Sequence, residues 1–167
     1  MNRDSVDGML AQWREQRPDV DTSPIGIVGR VSRAARLLER RLQDNYDRYG
    51  LQGWEYDVLA TLRRAGKPYR LTAGQLVASS MVTSGAITNR IDRMAGRGLV
   101  TREVDPDNRR SVLITLTPAG RKLVDEVVVA HAAYEAALLS ALSPRQREQL
   151  AGLLRTLLVG LGDHLPG

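Results

Sequence analysis

Apolar residues recur every three or four positions along nearly the whole chain and alternate over one long stretch only, residues 99–116, so a mainly helical fold must carry one small β element. Leu99 to Val104 and Ser111 to Leu116 are β-branched and alternating. The Asp105-Pro106-Asp107-Asn108 cluster between them is turn chemistry, which predicts a hairpin. Ahead of the hairpin, a short extended piece at Leu71-Thr72-Ala73 leads into two short helices. Thr72 caps the first, Ala73 to Ser79, and Gln75 completes its capping box. Thr83 caps the second, Ser84 to Arg97, whose apolar line is Ile87, Ile91 and Met94 and whose stop is Gly98.

Longer helices flank this segment. Asp4 to Gln16 sets Val6, Met9, Leu10 and Trp13 on one side of a short helix, followed by a polar break through Pro24. Ile25 to about Tyr49 carries Ile27, Val31, Ala34, Leu38, Leu42 and Tyr46 and ends near Gly50, and Gln52 to Ala65 carries Trp54, Val58, Leu59 and Leu62. After the hairpin, Thr117-Pro118 opens a helix to about Leu142, and Ser143-Pro144 opens another to Gly162. The expected organisation is 1–24 as an additional N-terminal helix and linker and 25–66 as dimerisation and pocket helices. A winged helix-turn-helix lobe then spans 67–116, and 117–167 supplies C-terminal dimerisation helices.

Composition narrows the chemistry. A chain of 167 residues with 43% hydrophobic and 26% charged residues is one folded domain with helical extensions. It has no Cys, which excludes disulfides, thiolate nucleophiles and cysteine zinc sites, and His131 and His164 are its only imidazoles. His131, set among alanines in a long helix, reads as a packing or solvent-facing residue. There is no His-Glu-x-x-His and no Gly-x-Ser-x-Gly, and Gly66-Lys67 lacks the upstream glycine of a phosphate loop, so neither an enzyme nor a cofactor is expected. No apolar run approaches the roughly 20 residues of a membrane span and no signal core follows Met1, so the expected location is cytoplasmic, with no membrane partner.

The net charge is +5, and because only Lys67 and Lys122 are lysines, nearly all the positive charge is guanidinium, suited to phosphates and carboxylates. Placement gives that charge meaning. A helix-turn-helix followed at once by a basic hairpin is a winged arrangement in which the second helix enters the major groove of double-stranded DNA and the hairpin tip reaches the backbone or minor groove. Beside the cap Thr83, the residues Ser84, Gly85, Thr88, Asn89 and Arg93 lie off the apolar line and can bond base edges and phosphates. Arg109 and Arg110 stand at the tip, with Asp107 expected to brace one of them. The competing reading is a winged module that binds another protein and has no specific DNA affinity.

With these residues in place, the sequence resembles the MarR family of bacterial transcription regulators. The resemblance is carried by Leu71 to Leu76, Ser84 to Met94, Gly98-Leu99-Val100 and Asp105 to Gly120. It implies a homodimer joined through its terminal helices, binding a pseudo-palindromic operator and repressing until a small ligand weakens the complex. Dimerisation also has a local reason: Val127, Val128, Leu138, Leu139, Leu150, Leu153, Leu154, Leu157 and Leu158 are more apolar residues than one winged domain can cover, the alternative being a monomeric four-helix core.

Three ionisable residues lean toward the interior by pattern. Arg90 borders the Ile87/Ile91/Met94 line, Asp57 borders the apolar face of the third helix, and alternation puts Arg102 on the face of Val100 and Val104. Buried charges need partners, so Asp57 is expected to pair with Arg90 or Arg102, as a static salt bridge or as a switch. Together with Trp13, these positions look like the urate-responsive subgroup of the family, which has an extra N-terminal helix. The resemblance implies that Trp13, Asp57, Arg90 and Arg102 bind a small planar anion such as urate or an aromatic carboxylate.

Overall fold

The computed structural model describes residues 3–79 and 87–164. Its elements run α1 (Ser5–Gln16), α2 (Ser23–Asp47), α3 (Gly53–Arg64), β1 (Arg70–Thr72), α4 (Ala73–Ser79), α5 (Ile87–Gly96), β2 (Val100–Val104), β3 (Val112–Leu116), α6 (Pro118–Leu138) and α7 (Pro144–Gly160). They form two compact units, Met1–Gly53 and Trp54–Gly167.

In the first unit, Asp4 caps α1 through a capping box with Asp7, and Arg30 of α2 reaches both carboxylates, at 2.8 and 2.7 Å. Gly26 and Gly29 let α1 lie close on α2. A Cβ at Gly26 would meet Leu10 at 3.0 Å, and one at Gly29 would meet Met9 and Val6 at 3.6 Å. The predicted stripe of α1 is therefore buried at Val6 and Leu10, while Trp13, one turn further on, is 44% exposed. Gly50 takes a positive φ of 63° just beyond α2, where the sequence places a stop.

The second unit is built on α3, whose Val58, Leu59 and Leu62 are fully buried. Thr72 and Gln75 form the expected capping box of α4, with bonds of 2.9 and 3.1 Å. The extended piece at residue 71 does more than lead into α4, because it becomes β1 and turns the two-stranded hairpin into a three-stranded antiparallel sheet of order β1-β3-β2. Arg70, Leu71 and Thr72 pair with Thr115, Ile114 and Leu113. Three residues are short for a periodicity signal, and tertiary pairing supplies what local pattern cannot.

Gly98, at φ 71°, ends α5 and returns the chain to β2, with the Leu99 N–H bonding the Met94 carbonyl at 3.0 Å. Thr117 caps α6 and donates its hydroxyl to the Gly98 carbonyl at 2.7 Å, tying the start of α6 to the loop that follows α5. Ser143 caps α7 through a capping box with Gln146. His131 packs beside the Tyr56 ring, 4.7 Å between centroids, and lies 3.3 Å from Glu135. Among the described residues no helix is long and apolar enough to cross a membrane.

Candidate nucleic-acid interface

Two faces of α5 are sharply different. Ile91 and Met94 are buried at 2% and 0% exposure, while Thr88, Asn89 and Arg93 are exposed. The helix is thus anchored along one line and offers a polar, cationic surface on the other, as groove entry demands. Thr83, Ser84 and Gly85 lie outside the described residues.

The wing tip is ordered by its own backbone. Asp105 N–H donates to the Ser111 carbonyl at 3.0 Å and Ser111 N–H to the Asn108 carbonyl at 2.7 Å. Side chains close the turn as well: the Asp105 carboxylate accepts from Asp107 N–H and the Asn108 side-chain Oδ1 accepts from Arg110 N–H. Among the described residues no ion pair joins Asp107 to Arg109 or Arg110, contrary to expectation. Asn108 shapes the turn instead, through the Arg110 backbone, and both guanidinium side chains stand exposed at the tip.

The three interior-leaning residues resolve differently. Arg102 pairs in register with Ile114, which is 1% exposed, so alternation assigns its face correctly. It does not assign depth. On β2 only Val100 is buried, because this edge strand runs outward past the core, and Arg102 is exposed rather than interior. Its ionic partner is Asp92 of α5 at 3.3 Å, in place of the expected Asp57. Arg90 is half-buried, with its guanidinium carbon 5.1 Å from the centroid of the Trp54 ring. Asp57 is half-buried on α3, one turn beyond Trp54.

Sequence reasoning placed Trp54 on the third helix but missed what the first turn of α3 holds. Trp54 also carries Arg93, at 5.8 Å, and the neighbouring Glu55, buried although charged, holds Arg97 at 2.6 Å. The spacing of Arg90, Arg93 and Arg97 at i, i+3 and i+7 was the available signal, since it places three guanidiniums along one flank of α5.

A model of the MarR family matches residues 49–111. The chain is 38% identical over 149 residues to the HTH-type transcriptional regulator PecS of Dickeya dadantii (strain 3937), an alignment spanning 89% of this chain and 90% of that protein. Among solved structures it is similar to Bordetella bronchiseptica BpsR, whose DNA binding is described as regulated by 6-hydroxynicotinic acid. The TM-score is 0.71 at 27% identity, covering 83% of this chain and 95% of that one. The fold also matches Sco3205, a MarR family transcriptional regulator of Streptomyces coelicolor in complex with DNA, with a TM-score of 0.77 at 23% identity and coverage of 86% and 91%.

Proposed function

The chain belongs to the MarR family of DNA-binding transcriptional regulators, and from that premise we propose that it is a homodimeric repressor released from a pseudo-palindromic operator by a small planar anion. The observation that carries the DNA contact is the two-faced α5, with Ile91 and Met94 in the core and Thr88, Asn89 and Arg93 facing out. Thr83, Ser84 and Gly85 would extend that surface toward the helix start, and Arg109 and Arg110 would grip beside it.

Neutralising Arg109 tests this contact. In anisotropy titrations over a salt series, Arg109→Ala should weaken binding to all duplexes alike and lower the slope of log affinity against log salt by about 2, because each of the two wings of the dimer releases one counterion fewer. An unchanged slope contradicts a DNA-gripping wing. A flat slope already in the parent chain favours a protein-binding module.

For the ligand, Asp57, Arg90 and Arg102 remain the proposed contacts in the second unit, with Trp13 of α1 carried over from the subgroup resemblance. BpsR supports a planar acid as effector. Arg90 is the informative position, since it stands on the recognition helix and its half-buried guanidinium offers in-plane N–H donors to an anion. Coupling is reciprocal, so an anion that lowers operator affinity binds the DNA-bound form more weakly by the same factor. Arg90→Ala should abolish release by urate or 6-hydroxynicotinate in mobility-shift titrations, each read against the variant's own ligand-free operator affinity. Release at parental concentrations counts against this assignment.

A further inference from the structure

We infer that Trp54 and Glu55, the first turn of α3, are positioning residues that fix the rotation of the recognition helix about its own axis. The inference rests on the DNA-reading role of α5. A helix held through a narrow line such as Ile91 and Met94 resists lifting more than it resists rolling, and rolling moves every base-facing side chain at once. The flank formed by Arg90, Arg93 and Arg97 stops that motion. Two of its guanidiniums lie over the Trp54 ring at 5.1 and 5.8 Å, and the third is bound by Glu55 at 2.6 Å. Their platform is anchored in the core, because beside the half-buried Trp54 the Glu55 side chain is 4% exposed and the next turns of α3 are fully buried at Val58, Leu59 and Leu62.

The mode of contact also suits DNA. A cation–π contact with an indole is made to the ring face and uses none of the guanidinium N–H donors as a hydrogen bond. Arg93, exposed on α5, is therefore within cation–π reach of Trp54 and can still donate to a phosphate. Trp54 needs no contact with DNA to set how well α5 reads sequence.

The test compares two affinities. An operator is selected by the parent chain from a pool of random duplexes, and binding to it and to a shuffled duplex of equal length is measured by anisotropy at one salt concentration. Trp54→Leu should lower the operator-to-shuffled ratio roughly tenfold, whereas Trp54→Phe, which keeps an aromatic face, stays within about threefold of the parent. Glu55→Gln, which preserves shape and removes one charge of the Arg97 pair, should lower the ratio about threefold and serves where Trp54→Leu does not fold. A merely structural loss reduces the active fraction on both duplexes equally and leaves the ratio unchanged. A ratio within twofold of the parent for both Trp54→Leu and Glu55→Gln, or an equal fall for Trp54→Phe and Trp54→Leu, overturns the inference alone. A parent chain with no preference among duplexes overturns the DNA reading beneath it.

Discussion

A chain carrying Leu153→Glu together with Leu157→Glu should sediment as a monomer and bind operator at least about a hundredfold more weakly, because tethering two half-site readers supplies a factor of roughly 10² to 10⁴. Leu153 is 71% and Leu157 42% exposed, one turn apart on α7, and none of the 17 residues of that helix is buried. In the same unit Val128 and Val129 of α6 and the following Leu139 are exposed apolar side chains too; taken by itself, the other unit exposes Ile27, Val28, Val31, Leu37 and Leu38 of α2. Monomeric proteins seldom leave so much apolar surface in water, and each leucine buried in an interface contributes about 1.5–3 kcal/mol. Glutamate would reverse that contribution and leave a charge without a partner. The monomer should keep its helical circular dichroism, since neither leucine belongs to the core of the single chain. A variant that remains dimeric with parental operator affinity contradicts a dimer joined through α7.

Gly120→Ala should lower stability by about 3 kcal/mol, at the severe end for overpacking, and lower the melting temperature by about 10 °C for a chain of this size. A Cβ on Gly120 would run into the Leu99 carbonyl oxygen, with the Leu99 carbonyl carbon at 3.0 Å and Leu116 Cδ1 at 3.1 Å. The obstructing atoms are mostly backbone and cannot swing aside as a side-chain end would. That backbone is fixed from several directions, for Leu99 bonds Met94 and Thr117 through its amide and carbonyl, and the Gly120 N–H is bound by the Thr117 hydroxyl at 2.9 Å. Close approach is what requires glycine here, since the position is helical. Strain at this corner falls on the loop that ends α5, so operator affinity should fall along with stability. Thermal unfolding followed by circular dichroism checks the prediction, and a midpoint within 2 °C of the parent contradicts it.

What could be read from sequence, and what could not, follows from the range of the interactions involved. Caps and stops are local chemistry, and Thr72, Gly98 and Thr117 act where the sequence puts them. The core line of Ile91 and Met94 was equally legible, because a 3.6-residue period states a face directly. Arg102 shows where period stops informing. Alternation gave its face, but depth depends on where the edge strand leaves the core, and only the third dimension records that Asp92 and not Asp57 lies beside it. The tip of the wing failed for a related reason: Asp107 is near Arg109 and Arg110 in sequence, yet the turn directs its N–H to Asp105 and gives the Arg110 N–H to Asn108. Trp54 passed as an ordinary apolar residue of α3. Its pairing with Arg90 and Arg93 spans more than 35 residues: the arginine spacing marks one flank of the helix, but nothing local names Trp54 as what that flank meets.

Sedimentation velocity of the parent chain, alone and mixed with the selected operator duplex, puts the two-fold DNA-reading arrangement at stake in one experiment. The expected result is a dimer in the free state and a complex of two chains per duplex that dissociates steeply as salt is raised. A monomer that leaves the duplex sedimenting unchanged at low salt would contradict it.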